Sequence, residues 1–260
     1  MMRADGGVST VANSLKVAKK KKIRIDSFGF TPGRVLSGKY EVISLLGKGW
    51  ESEVYLVRER ETGIERTAKF IFPQRNEGER ASRLYAKKLH MLRHCPIVIQ
   101  YHTQDTMRVR GHVIKYLISE YVEGEMLSEF VARQPGKRLT PFAGLHLLHA
   151  LAEGLECIHS AGEYHGDLHS DNIIVQRYGL GFELKLLDLF HWQAPKKENI
   201  RFDVVEMVRV FHEVLGGQKH YARHPPEVKA ICCGLKSSLI LKKFRTAGQL
   251  KLYLETMEWN

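Results

Sequence analysis

Between Tyr40 and Phe72 apolar and polar residues alternate with a period of two, and the run is broken by a Gly-Lys-Gly stretch at 47–49 and a Glu-Thr-Gly turn at 61–63. That pattern predicts three antiparallel strands joined as a meander. From Asn76 to Arg93 the period lengthens, with Ala81, Leu84, Leu89 and Leu92 at helical spacing, and strands are expected again at 97–102 and 112–122. Beyond Glu123-Gly124 the character changes. Leu145, Leu148, Leu151, Leu155 and Ile158 form one apolar stripe along a long helix that ends near Ser160-Ala161-Gly162. Apolar runs at 172–176 and 183–189 flank a glycine-rich turn and predict a hairpin, followed by helices at about 203–215, 226–235 and 246–257. The expected fold class is therefore α+β, a strand-rich half with one main helix followed by a helical half.

Composition narrows the setting. The chain has 260 residues, of which 43% are hydrophobic, enough for one two-part domain with a sizeable core. It holds no apolar run long enough to cross a bilayer, and residues 1–30 lack the charged, apolar and small-residue succession of a secretory signal, so the expected address is cytoplasmic. Cys95, Cys157, Cys232 and Cys233 have no zinc-binding spacing and read as reduced thiols. The thirteen histidines form no HExxH or comparable metal pattern. Much of the net charge of +11 lies before Tyr40, where Arg3, Lys16, Lys19 to Lys22, Arg24, Arg34 and Lys39 face only Asp5 and Asp26. Residues 1–38 are thus expected to be a basic, flexible tail, and any nucleic-acid contact is left to that tail alone.

Two further segments carry the chemistry. Gly47, Gly49, Ser52 and Val54 fall between two predicted strands, where glycine lets a backbone approach a polyphosphate, although a tight turn also accounts for two glycines. Fifteen residues past Val54, Lys69 sits on the next strand, where an ammonium can hold phosphates. The second segment is Tyr164-His165-Gly166-Asp167-Leu168-His169-Ser170-Asp171-Asn172, followed by Leu187-Asp188-Leu189-Phe190.

In order and spacing these strings resemble the catalytic loop and metal-binding element of the protein kinase superfamily, and the likeness runs from about Tyr40 to the C-terminus. The nearest resemblance is to compact or atypical bacterial serine/threonine protein kinases. It implies a bilobal fold, with a small lobe at 39–122 and a large lobe at 123–260. It also implies an ATP-dependent phosphotransferase in which Asp167 orients the acceptor hydroxyl, Asn172 and Asp188 hold Mg²⁺, and Lys69 draws in the phosphates, with His169 where a lysine often stands. By the same resemblance Gly47, Gly49, Ser52 and Val54 cover the phosphates. Ser119 guards the back of an adenine pocket, Glu120 and Val122 offer backbone hydrogen bonds to adenine, and Glu125 is a ribose candidate. Asp203 is expected to brace the catalytic loop.

Several positions depart from the family pattern. Tyr85 stands where a helical glutamate usually pairs with the strand lysine, Gly166 replaces an arginine, Phe190 replaces a glycine, and only fourteen residues separate Asp188 from Asp203. A phosphorylated activation loop would find no guanidinium at Gly166. The expected acceptor is a protein hydroxyl. The alternatives are a small-molecule kinase of the aminoglycoside, sugar or lipopolysaccharide type, and a pseudokinase that binds nucleotide or a protein partner without transfer.

Overall fold

The computed structural model describes residues 24–189 and 197–258; the Lys19 to Lys22 run and Phe190 lie outside them. The chain divides as expected into a strand-rich half and a helical half. The first is a six-stranded antiparallel sheet of β1 (Val35–Leu36), β2 (Tyr40–Lys48), β3 (Ser52–Glu59), β4 (Glu65–Ile71), β5 (Tyr101–Val109) and β6 (His112–Glu120), in the order β1-β2-β3-β4-β6-β5. Helix α1 (Arg80–Met91) connects β4 to β5.

The second half opens with β7 (Glu125–Met126), α2 (Leu127–Ala132) and the long α3 (Pro141–Ser160). The hairpin of β8 (Ile173–Tyr178) and β9 (Gly181–Leu186) pairs with β7 in a small second sheet. Helices α4 (Lys197–Val214), α5 (Gln218–Tyr221), α6 (Pro226–Cys232), α7 (Ser237–Lys243) and α8 (Ala247–Thr256) complete it. No described helix is long and apolar enough to cross a membrane.

Local chemistry sets the ends of α3. Thr140 accepts a hydrogen bond from the Ala143 amide and Pro141 occupies the first turn. At the other end Gly162 adopts φ +75°, its N–H bonds the His159 carbonyl, and the Glu163 N–H bonds the Ile158 carbonyl. That reversal, which glycine tolerates without a Cβ penalty, turns the chain directly into Tyr164-His165-Gly166. Along α3, Gly154 leaves room for Ile97, whose side chain fills the place a Cβ would take. The connector 95–99 is thereby pressed against the helix, and a backbone bond from Leu186 N–H to the Ile97 carbonyl ties it to β9.

Two apolar cores result. One gathers Tyr85, Leu89, Leu92, Ile97, Val98 and Leu117 of the small half with the α3, α4 and α6 faces of the large half, so it runs through the junction. The other covers the outer face of the large sheet with Phe28, Phe30, Tyr55, Phe70, Phe72 and Tyr116, where the Phe70 and Tyr116 rings stack at 4.7 Å.

The second core corrects the expected extent of the tail. Ile25, Phe28, Phe30 and Leu36 are buried, and Leu36 belongs to a strand. Glu53 fixes this segment by accepting from Ser27 Oγ at 2.7 Å and the Phe28 amide at 3.0 Å. Burial alone would raise the Glu53 carboxyl, but the hydrogen bonds from Tyr55, Ser27 and Phe28 and the contact with Lys48 outweigh it, and its pKa falls. Residues 25–36 are therefore part of the small lobe.

The thiol expectation is corrected too. Cys95 and Cys157 form a disulfide that ties the connector after α1 to α3, while Cys232 and Cys233 are free. The strand expected at 97–102 begins only at Tyr101, because Ile97, Val98 and Ile99 are buried junction residues. The helix expected from 203 begins at Lys197, and α7 falls outside the expected helices.

Candidate active site

The two lobes meet at an ion pair. Lys69 lies on β4 opposite Val54 of β3, and its ammonium bonds Asp188 Oδ1, 119 residues further along the chain. The lysine side chain is 7% exposed and the aspartate side chain 46%, so the amine is held in the wall while the carboxylate opens toward solvent. Asp188 follows β9 with φ +55°, a left-handed conformation that aspartate tolerates better than most residues.

Beneath Lys69, the Tyr85 ring of α1 lies 4.9 Å from the ammonium. The missing helical carboxylate is thus replaced by an aromatic face, and a cation over such a face is held electrostatically. Glu79 bonds Lys115 at 2.6 Å instead. Glu51, at the turn after β2, is close enough to be felt here. Burial raises its carboxyl pKa, the Lys69 charge lowers it and the Asp188 charge raises it.

The loop from Tyr164 to Asn172 brings the remaining groups together. Asn172 Nδ2 donates to the Asp167 carbonyl at 2.9 Å and lies 3.4 Å from Asp167 Oδ2. His169 Nε2 is 2.8 Å from the same amide nitrogen and 3.7 Å from Asp167 Oδ2. Asp167 itself has a side chain 63% exposed, open to an incoming group. The Leu187 amide bonds the Asn172 carbonyl at 2.9 Å, which joins this loop to the strand end that carries Asp188.

Asp203, fully buried on α4, accepts from the amides of His165 at 2.7 Å and Gly166 at 2.8 Å and from His159 Nε2 at 3.0 Å. It braces the loop backbone as the sequence led us to expect. His165 is also locked. Its Nε2 donates to the Leu187 carbonyl at 2.8 Å and its Nδ1 accepts from the Asp167 amide at 3.2 Å, which fixes the neutral tautomer. Burial lowers its pKa, consistent with that state.

The glycine turn bears on one open alternative. Neither Gly47 nor Gly49 has left-handed φ, and a Cβ on either would meet nothing within 4 Å. The turn itself therefore has no need of glycine at these two places, whereas a ligand lying over them would. Ser52 is buried opposite Ile71, and Val54 pairs with Lys69.

At the linker between lobes, Ser119 is buried on β6 next to Thr67. The Glu120 carboxylate is engaged by Lys185 at 2.8 Å and by the Gln100 amide at 3.0 Å, and its own N–H donates to the Gln100 carbonyl at 2.9 Å, so its carbonyl is the part that can also meet a ligand. Val122 is half-buried against the junction core. Glu125 forms an ion pair with Arg133, with Arg133 Nε at 2.9 Å from Oε2, so a ribose contact there would share the carboxylate with a guanidinium. Gly124 is required by the fold: it has φ +129°, and a Cβ would press on Ile174 at 2.8 Å.

Three residues of the site were missed in the sequence. The Thr67 hydroxyl donates to the Glu120 carbonyl at 3.2 Å, Glu51 neighbours the Lys69–Asp188 pair, and Lys88 reaches the loop from α1. Thr67 lies two residues before Lys69 on the same strand, so strand alternation places it on the same face. Glu51 and Lys88 gave no signal beyond their residue type.

The protein kinase domain model matches residues 40–222. The serine/threonine-protein kinase pkn2 of Myxococcus xanthus is 33% identical over 158 residues, 59% of this chain, and the serine/threonine-protein kinase PrkC of Bacillus subtilis is 28% identical over 152 residues, 56% of it. The matched segments span 18% and 22% of those two relatives. The crystal structure of the Mycobacterium tuberculosis PknI kinase domain superposes with a TM-score of 0.60 at 17% identity, covering 87% of this chain and 97% of that one. With the family model covering well over half its length, the chain belongs to the protein kinase domain family.

Proposed function

We propose that the chain is an ATP-dependent serine/threonine protein kinase. The observation that carries this reading is the meeting of Lys69 with Asp188 across the lobe junction, beside the Asp167–Asn172 pair. Oxygen donors suit a magnesium ion. Asn172 spends Nδ2 on Asp167 and keeps Oδ1, and Asp188 has a second carboxylate oxygen. No cluster of three or more His, Cys, Asp or Glu side chains able to hold a metal occurs among the described residues. Such a pair fits a cation that arrives with its nucleotide and takes its other ligands from phosphate and water. When bound, that cation supplies charge neutralisation on the phosphate oxygens.

In this reading Lys69 holds the α- and β-phosphates as a point charge, and Gly47 and Gly49 leave backbone amides clear to cover them. The Glu120 carbonyl and the Val122 amide receive adenine. The carbonyl has two lone pairs, so the Thr67 hydroxyl and an adenine amine can share it. Asp167 accepts the acceptor hydroxyl's proton as that oxygen forms its bond to the γ-phosphorus, the bond to the β–γ bridging oxygen breaks, and ADP leaves. His169 stands beside Asp167 and, through Nε2 at 2.8 Å from Asn172 Nδ2, helps fix the amide that meets it.

The eight residues between Asp188 and the start of α4 favour a second reading, a small-molecule kinase, since they leave little chain to form a peptide platform. Incubation with γ-labelled ATP, a protein extract and a metabolite pool separates the two. Label in proteins supports the first reading, and label in metabolites alone supports the second. Label in neither, and none on the protein itself, removes phosphoryl transfer altogether.

A further inference from the structure

Helix α1 touches the site at two places three residues apart. Tyr85 lies under Lys69, and Lys88, 7% exposed, sends its ammonium to the Tyr164 carbonyl at 2.6 Å. Residues at this spacing share one face of a helix, so a single orientation of α1 serves both contacts. The Lys88 nitrogen also lies 4.6 Å from the Tyr164 ring centre and 3.6 Å from Glu163 Oε2.

The Tyr164 carbonyl and the His165 N–H are the two ends of one planar peptide group. The N–H end donates to Asp203 Oδ2 at 2.7 Å, and the next amide, of Gly166, donates to Asp203 Oδ1 at 2.8 Å. The group is thus stretched between a cation from the small lobe and an anion from the large lobe, with its dipole aligned to both. Gly166, at φ +88°, follows it, and Asp167 follows Gly166. A tilt of this peptide plane is passed through the glycine to the Asp167 carboxylate.

We propose that Lys88 is a positioning residue that couples the placement of α1 to the catalytic loop, in a chain whose α1 has no carboxylate at Tyr85 to make that coupling through Lys69. The inference rests on the reading of Asp167 as the group that meets the acceptor. A buried ammonium is costly unless it is paired and hydrogen-bonded, and an apolar side chain would fill the same space without that cost. Burial does pull the Lys88 pKa down, while Glu163 and Asp203 push it back up. The lysine is therefore explained by what it holds rather than by packing.

The test uses the full chain and its Lys88→Met and Lys88→Arg variants, with a Lys88→Met/Glu163→Gln double variant to remove the partner charge as well. ADP release from Mg-ATP, with the protein extract present as acceptor, gives kcat and KM, and amide hydrogen exchange over residues 163–168 reports the loop directly. Losing a charge-assisted hydrogen bond should lower kcat about tenfold or more in Lys88→Met, with KM for Mg-ATP within about twofold. Exchange at His165 and Gly166 should quicken in Lys88→Met and in the double variant, while Lys88→Arg restores most of both readouts. Unchanged kcat and exchange in Lys88→Met would overturn the proposal, as would an exchange increase spread evenly over the whole chain, which marks a merely structural role. If the wild-type chain releases no ADP, the functional reading fails. The exchange arm still decides the coupling, because unchanged protection at His165 and Gly166 overturns it.

Discussion

Replacing Asp203 tests how much of the catalytic loop's order comes from one buried carboxylate. In Asp203→Ala the His165 and Gly166 amides, now bonded at 2.7 and 2.8 Å, lose an acceptor that is itself fully buried. Hydrogen bonds to a charged acceptor contribute about 1.5–3 kcal/mol each, so the two amides together represent roughly 3–6 kcal/mol. Relief from burying the carboxylate returns part of that, leaving a net loss of about 3 kcal/mol. Asp203→Asn keeps one acceptor oxygen but turns an NH₂ toward the second amide, so it should cost nearly as much as alanine. Urea unfolding followed by far-UV circular dichroism measures the loss as a shift in midpoint, and ADP release from Mg-ATP should fall alongside. A loss below about 1 kcal/mol for both variants would refute the reasoning, since it lies under the net contribution of a single charged hydrogen bond.

Other expectations are sharper in direction than in size. The neutral His165 binds through a protonated Nε2 and an unprotonated Nδ1, and its pKa is lowered by burial. The unfolded chain therefore takes up its proton first, so stability is full above about pH 6.5 and falls as pH drops below it, by up to ~1.4 kcal/mol per unit. Melting temperature against pH should show this slope, and His165→Leu should flatten it; an equal slope in the variant contradicts the assignment. The Cys95–Cys157 bond closes a loop with a sequence separation of 62. On the chain-entropy model such a crosslink contributes about 4 kcal/mol. Dithiothreitol or Cys95→Ser should accordingly lower the melting temperature by on the order of 10 °C. Thiol alkylation of the unreduced protein, unfolded in urea so that buried Cys232 is reached, should label two cysteines, and four labelled cysteines would show the bond absent. Ser119 is small and buried on β6, and the proposed nucleotide reading puts it at the back of the adenine. Bulky adenine analogues should inhibit the wild type and lose at least tenfold in potency, about 1.4 kcal/mol, against Ser119→Phe; equal inhibition would mean that Ser119 does not face the adenine.

What the sequence revealed depended on how local each signal was. The meander at 40–72 was legible because its sheet has one covered face, and Val42, Tyr55, Val57 and Phe70 keep the period of two that a half-buried strand imposes. The same logic misplaced the next strand. Ile97, Val98 and Ile99 are apolar because they lie in the lobe junction, while the true edge strand, Tyr101–Val109, is largely exposed and carries little pattern. The longer helices of the large lobe followed from their stripes, whereas the short α2, α5 and α7 did not, and α7 has a single buried side chain, Ile240. The packed segment 25–36 escaped because Phe28 and Phe30 stand among charged and turn residues, and their burial is decided by Phe70 and Phe72 far along the chain.

The site divides along the same line. Lys69, Asp167, Asn172, Asp188 and Asp203 stand in a recognisable order, and the structure brings them into one network. The expected partner of Lys69 was missing from the sequence, and the Tyr85 ring that takes its place could be named only once α1 was packed. Lys88 and the Cys95–Cys157 pair depend on contacts 76 and 62 residues apart, with no spacing rule to expose them. Their partners emerge only from the docking of α1 and its connector against α3 and the loop that follows it.

The measurement that bears most directly on the central claim is a thermal-shift titration with ATP, with and without Mg²⁺, on the wild type and Asp188→Asn. If Asp188 and Asn172 hold the nucleotide's cation beside Lys69, Mg-ATP at a hundred times its Kd should stabilise the wild type by about 2.7 kcal/mol. ATP alone should do markedly less, and Asp188→Asn should erase the difference between the two. Equal stabilisation of the wild type with and without the metal would contradict the account.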